Sequence, residues 1–503
     1  MRLNGWSGLA AGVAACSFLV ASEAKAGWHD ENLVLLDGHW EAIPDDVWGT
    51  PHPPFDDRWT KNNATIVVLI SALRESRLVD TIKSAFDQAS FPERIRVGVV
   101  QQNDATDPDC IVALCEQRGK PLLPLHEIAQ EYEAVPRFSN PLGCEEFDKV
   151  RVFRMDASEA AGPVFARAHQ ESLVEDEDFC MQIDAHTIFS KGWDVAMLGE
   201  WGATKNEFAV LTTYPTNYKD IGKNSNKHWE MPHICGVSMS KAGSISNHQA
   251  GAIANMNRPM IAPVWAAGLS FSRCHAERRV PNDINLRQVF SGEEYSRGAR
   301  LWTSGYDFYS ITRPIIGVYY GNEKKNKGSW KGNRQEMESS LSRIRTLLNM
   351  PGSDQSPEAL AKLGRHGLGD RRTLDQYIEF SGIDPQRLVA NDKCVVRYVP
   401  WELGGLRDSI LAEDRHVLEA FQNSEEVVGK HDAPEKKLRS NNFRKDKIYS
   451  SPSKTEDFLS ETAKPYDSQL AYKVSAGIVI FIVGVVGLKY MLPKRRLLQT
   501  KEV

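Results

Sequence analysis

The sequence predicts an α/β fold: a nucleotide-binding domain built on parallel strands, a helical extension, a polar stalk and one helix that crosses a membrane near the C-terminus. Three observations predict it. Ile66–Ile70 is a β-branched run, Leu78, Ile82 and Phe86 recur at helical spacing, and Arg94–Val100 is a second strand. That order opens a nucleotide-binding α/β unit. Second, the stretch FCMQIDAHTIF, residues 179–189, is apolar up to a polar Asp184-Ala185-His186. It reads as a buried strand that ends at Asp184. Third, Val474–Leu488 carries no charge and is followed by Lys494-Arg495-Arg496.

The 503 residues are 41% hydrophobic and 25% charged, which is globular composition for two or three domains. The net charge of −5 gives no case for a nucleic-acid partner. The first 26 residues have Arg2, an apolar stretch through Val20, and Ala24 and Ala26 before Gly27. This is a signal-peptide pattern with cleavage after Ala26, an uncleaved anchor being the alternative. Residues 27–61, rich in Trp, Pro and Asp, read as an irregular lead-in. The main α/β domain spans 62–350. Within it Val150–Arg154 and Val210–Thr213 are short strands, Ala160–Leu173 is a helix, and 216–260 is a long polar loop. Residues 335–348 form an amphipathic helix. Further helical segments make an extension over 351–423. The charged, apolar-poor segment 424–470 suits a stalk. Residues 471–492 approach the length a span needs, with a buried core helix as the alternative. The basic tail 493–503 stays in the cytosol. The ends together predict a single-pass type I protein of the ER or Golgi membrane, with its large domain in the lumen.

Once Cys16 leaves with the signal peptide, seven cysteines remain: 110, 115, 144, 180, 235, 274 and 394. In an oxidising lumen some pair, and an odd number leaves at least one out. Asn63-Ala64-Thr65 is a glycosylation sequon if the chain is lumenal.

Residues two apart in a strand face the same side, so Asp184 and His186 point together from the carboxyl end of theirs. Open α/β sheets bind ligands along that edge. A carboxylate beside an imidazole suits a divalent metal, with manganese favoured over zinc in an oxygen-rich phosphate site. Asp-x-His is common by chance, so its position gives it weight. A second constellation lies in Phe290-Ser291-Gly292-Glu293-Glu294 and the following Arg300-Leu301-Trp302-Thr303-Ser304-Gly305. Adjacent acids, an Arg and a Trp suit binding of sugar hydroxyls and a sugar's C–H face. A helix start with an acidic first turn is the plainer reading of the same residues. Arg167 sits where it would neutralise a diphosphate, or is an ordinary surface arginine. His228, His233 and His275 are metal-ligand candidates, though single histidines are more often structural.

Taken in order, Gly162-Pro163 with Ala166-Arg167, QIDAHTIF, GWD, TTYP, WAAGLSFS, VPND, FSGEE, ARLWTSGYDFY and RRTLDQYIEFSGID resemble glycosyltransferase family 60, the polypeptide α-N-acetylglucosaminyltransferases. The resemblance runs from about residue 62 to about 390. Gly292–Gly305 is also similar to the sugar-binding motif of the mucin-type polypeptide N-acetylgalactosaminyltransferases, with Glu293, Arg300, Trp302 and Gly305 at matching spacing. The resemblance implies a GT-A type glycosyltransferase fold. It implies a retaining transfer of GlcNAc from UDP-GlcNAc to a Ser, Thr or hydroxyproline hydroxyl of an acceptor polypeptide. Asp184 and His186 then hold Mn2+ on the diphosphate. Ala72, Leu73 and Arg74 lie against the uridine. Arg167, Gln182, Arg300 and Trp302 join Asp184 around the donor. Glu293 binds the donor sugar, and Glu293 with Glu294 are the candidate catalytic residues. The family's usual third metal ligand, a His near Ile315–Tyr320, is absent, and Tyr319 is the nearest substitute. A non-catalytic sugar- or peptide-binding ectodomain, a transferase using another UDP-sugar, and a metal-dependent hydrolase remain as rivals.

Overall fold

The computed structural model describes residues 31–124, 138–221, 230–240, 244–320 and 330–414. The expected signal peptide 1–26, stalk 424–470, membrane span 471–492 and basic tail 493–503, and His228, lie outside them. Among the described residues no helix is long and apolar enough to cross a membrane.

An eight-stranded mixed sheet forms the centre. Its order is Met260–Ala262, Asp307–Ser310, Ala209–Thr212, Leu269–Arg273, Phe179–Asp184, Ile66–Leu73, Ile95–Asn103 and Val150–Asp156. The last four run parallel, with Ser71 opposite Asp184 and Ile66 opposite both Phe179 and Ile95. Leu269–Arg273 runs antiparallel to its neighbours. Ile66 to Ile70 are all fully buried. Both faces of the sheet are covered, which is why these strands read as unbroken apolar runs and not as alternations. The helix Leu78–Asp87 turns Leu78, Ile82, Ala85 and Phe86 inward. The helix at 163 is shorter than the sequence implies. It starts at Gly162, whose φ of 95° suits glycine, and Pro163, and runs as α-helix only to Ala168 before a 3-10 turn to Leu173. Two helices that the motifs did not delimit, Cys110–Gln117 and Trp193–Ala203, cover further strands.

Two expectations need correction. The segment 216–260 is not an irregular loop. It holds Glu230–Met239 and Ile245–Ala254, a ten-residue antiparallel pair with register shifts near Ile234. Only parts of each strand are buried, so Asn, Ser, His and Gln remain on the wet side and mask the strand signal. Nor is the lead-in wholly irregular. Leu33–Leu36 and His39–Ala42 form a hairpin on that pair. Its two-residue turn, Asp37-Gly38, has φ of 48° and 83°, the left-handed pair that Asp-Gly favours.

The described part of the C-terminal extension, 351–414, holds the helices Pro357–Ala361 and Leu374–Ser381 and a short strand pair, Ile383–Asp384 with Val389–Ala390. Arg334–Leu347 is capped by Asn333 and Leu374–Ser381 by a Thr373–Gln376 capping box. Cys115–Cys144, Cys180–Cys274 and Cys235–Cys394 are disulfides, and Cys110 is free and buried. Cys235–Cys394 ties the extension to the long hairpin.

Candidate active site

The strand Phe179–Asp184 delivers Asp184 to the carboxyl edge of the sheet. The turn after it is pinned. Thr81 Oγ1 donates to Ala185 O (2.9 Å) and accepts from Thr187 N (3.0 Å), and Thr187 Oγ1 donates to Asp184 O (2.7 Å). Thr187–Phe189 then pairs antiparallel with Ile316–Val318. The Asp184 and His186 side chains are each 32% exposed, so both are open to a ligand.

Arg167 joins the two constellations that the sequence left apart. One guanidinium nitrogen lies 2.8 and 2.7 Å from the two Glu293 oxygens, and the other lies 3.0 Å from Asp184 Oδ1. Two carboxylates thus share one cation. Glu293 and Glu294 do open a helix, Glu293–Thr303, after a left-handed Gly292. The helix-start reading and the acidic-site reading are both true of the same residues. Glu294 accepts from Ala267 N (2.9 Å) and from Tyr214 Oη (2.8 Å). Burial raises its carboxyl to about 7 against those two bonds. Tyr320 donates to Pro215 O (2.8 Å), and its phenol is pushed up to about 12, by burial first and then by Asp184 and Glu294. His186 Nδ1 lies 3.3 Å from Glu75. That hydrogen bond is the main cause of its raised pKa.

Ala72 and Leu73 end the strand Ile66–Leu73, and Arg74 follows with φ 50°. Its side chain is held by Asp107 (2.6 and 3.1 Å) and Asp104 (2.9 Å). Gln182, Arg300 and Trp302 are placed differently from the expectation. All three are buried. Gln182 donates to Ala267 O (2.9 Å) and accepts from Arg297 (3.0 Å). Arg300 donates to Pro281 O, and Trp302 lies among Tyr377, Phe380 and Arg372. They brace the floor and the helix and do not face the cleft. His233 and His275 are structural too. His233 bonds Ser310 Oγ and Cys394 O (2.9 Å each), and His275 bonds Tyr306 Oη (2.9 Å).

Sequence reasoning missed Tyr214 and Ala267 as partners of Glu294, and Glu75 as the partner of His186. TTYP and WAAGLSFS contain two of them, but only the folded register brings them to Glu294. Among the described residues no three His, Cys, Asp or Glu converge as a complete metal cage. The donor set still fits a divalent cation bound partly by protein. Asp184 supplies oxygen, His186 supplies nitrogen, and the pair of carboxylates on one guanidinium leaves negative charge uncompensated at the cleft.

A family model described as Glycosyltransferase (GlcNAc) matches residues 65–387, well over half of the chain. The protein belongs to that glycosyltransferase family. No curated protein sequence matches the chain. Among solved structures, GalNAc-T7 with UDP, GalNAc and Mn2+ is similar at TM-score 0.41 and 13% identity, over 63% of this chain and 56% of that one. The mannosyltransferase PcManGT from Pyrobaculum calidifontis, in complex with GDP-Man and Mn2+, is similar at TM-score 0.31 and 10% identity, over 64% and 79%. This glycosyltransferase spans little more than half the length of the GalNAc-T7 chain.

Proposed function

We propose that this glycosyltransferase is a retaining, GT-A type enzyme of family 60 that moves GlcNAc from UDP-GlcNAc to a Ser, Thr or hydroxyproline hydroxyl of an acceptor polypeptide. The observation that carries the reading is the Arg167 bridge from Asp184 to Glu293, at the carboxyl edge where strands Ile66–Leu73 and Phe179–Asp184 run parallel. Glu293 accepts hydrogen bonds from the donor sugar's hydroxyls. Arg167 holds Glu293 and Asp184 in place and faces the diphosphate. Asp184 and His186 would hold a divalent ion, whose charge stabilises the departing diphosphate. In the transfer the bond from the anomeric carbon to the diphosphate oxygen breaks and one to the acceptor oxygen forms. UDP keeps the bonding electrons. The acceptor proton must leave, and Glu294, half ionised near pH 7, is placed to manage it. Ala72–Arg74 line the nucleotide side. A screen of UDP-sugars with product detection tests the donor. Equal turnover of several donors, or none of UDP-GlcNAc, would refute the assignment.

We also propose that the catalytic domain is lumenal, anchored in the ER or Golgi membrane by residues 471–492. Three disulfides and an exposed Asn63 in its sequon support this. The tests are a band shift on N-glycosidase treatment and protection from protease in sealed microsomes. An unshifted band with digestion of the large domain would reverse the topology.

A further inference from the structure

The turn that carries His186 is held through its backbone from three sides. Thr81 Oγ1 fastens Ala185 O and Thr187 N on either side of it (2.9 and 3.0 Å), and Tyr319 N donates to His186 O (3.1 Å). What the backbone leaves undecided is the imidazole: how the ring is turned, and which nitrogen carries the hydrogen. A ring nitrogen that carries hydrogen has no lone pair to give a cation. With two protein ligands in the candidate set, that choice decides half of it.

Glu75 stands where the choice is made. The strand Ile66–Leu73 ends, Arg74 turns the chain with φ 50°, and Glu75 comes next, just before the helix Leu78–Asp87. The same helix carries Thr81, so one segment meets both the backbone and the ring of His186. One Glu75 oxygen accepts from Arg77 N (3.0 Å), and the other lies 3.3 Å from His186 Nδ1. The Glu75 side chain is 7% exposed and the imidazole 32%. The carboxylate closes one edge of the ring and leaves the other open. An ionised carboxylate only accepts hydrogen bonds. The nitrogen facing it is therefore the one with the hydrogen, and the lone pair falls to Nε2.

We propose that Glu75 is a positioning residue for the candidate metal site: its carboxylate takes the Nδ1 hydrogen of His186 and so reserves Nε2 for the divalent cation. The role rests on the metal reading above, and Glu75 acts through His186 and not on the cation. An acid on the far nitrogen also makes the near one a stronger electron donor. Glu75→Gln tests this without emptying the space. The single amide oxygen of glutamine stays with Arg77 N, and its NH2 faces Nδ1, which must then accept. The hydrogen moves to Nε2 and the ligand is lost. Nuclear magnetic resonance on the metal-free full chain with isotope-labelled histidine, at a pH where the ring is neutral, reads the tautomer. The His186 signal is identified by its loss in His186→Ala. Nδ1–H is expected in the parent and Nε2–H in Glu75→Gln. Calorimetry in the presence of UDP should show Mn2+ bound at least about tenfold more weakly by the variant, with a melting temperature within about 2 °C of the parent. A residue that merely fills space would leave tautomer and affinity unchanged. If Glu75→Gln does not fold, the tautomer in the parent decides. An Nε2–H ring in the parent, or parental Mn2+ affinity in Glu75→Gln, would overturn the proposal alone. A parent that binds no Mn2+ with UDP would overturn the metal reading itself, and this role with it.

Discussion

The strand Phe179–Asp184 carries an ion network at each end, and the two close differently. At its start, Asp178 accepts from Thr65 N (2.9 Å), Thr65 Oγ1 (3.1 Å) and Arg58 (2.8 Å). Arg273 beside it reaches Asp56 and Glu207 (3.3 Å each), and Glu207 also meets His275 (3.3 Å). Three acids there share two arginines, with the His275 imidazole beside Glu207. At the finish, Asp184 and Glu293 share Arg167, and burial raises the Glu294 carboxyl to about 7. Asp178 is 10% exposed and Asp184 is 32%. A covered network with two arginines among three acids holds strands together. An acid-rich, half-open one holds charge in reserve for a ligand.

The largest effect should come from exchanging the two aspartates' fates. Asp184→Asn should cut transfer by at least about 100-fold while the melting temperature stays near that of the parent, because a half-exposed carboxylate contributes little to the core. His186→Ala should behave alike. Asp178→Asn should do the reverse, costing roughly 2–4 kcal/mol of stability, with normal specific activity in the folded fraction. Transfer rates and melting curves on all three variants decide it, and an unstable Asp184→Asn or an inactive, stable Asp178→Asn would erase the distinction.

Arg167→Met is next. It leaves Glu293 and Asp184 facing each other without a cation. UDP affinity by calorimetry should fall by about tenfold or more, and Arg167→Lys should recover little of it, since a point charge cannot repeat the fork to both acids. Full rescue by lysine would show that charge alone matters there.

The third effect is on stability. The folded pKa of Glu294 is raised from 4.5 to about 7. The folded state therefore binds more protons than the unfolded chain between these values, and stability falls as pH rises through that window. The cost by pH 7 is on the order of 2 kcal/mol, after allowance for the partial exposure of the side chain. Glu294→Gln should flatten this part of the pH–stability curve and raise the melting temperature at pH 8. An unchanged slope would mean that Glu294 is not the strained member of the acidic end.

The smallest effect concerns Tyr319. Its backbone N–H donates to His186 O (3.1 Å), so it lies across from His186. Its ring is stacked on Tyr218 at 3.9 Å with Arg77 over it at 3.9 Å. Tyr319→Phe keeps that stack and should hold activity within about threefold. Calorimetry should find divalent-metal binding weak alone and much stronger with UDP, because the nucleotide brings the missing oxygens. Equal affinity in both titrations would point to a protein-only site.

The parts of this site legible in sequence are those written along one stretch of chain. Asp184 and His186 show as a polar break in an apolar run, and the acid pair at 293–294 shows after Gly292. The parallel strands are legible because both their faces are dry. The Arg167 bridge, the Tyr214 and Ala267 bonds to Glu294 and the Glu75–His186 contact are not. Each joins residues from separate elements, and register sets the distance. Trp302 misled for a related reason. An indole suits a sugar face or a core equally, and only the packing of Tyr377 and Phe380 against it decides.

Cys110 bears on how the chain keeps this state. It lies on the same short helix as Cys115, whose disulfide partner is Cys144. Cys110 is 1% exposed, and burial pushes its thiol far up. Thiolate is the species that attacks disulfides. Burial of Cys110 thus leaves a thiol that is slow to form thiolate and slow to attack the disulfide beside it.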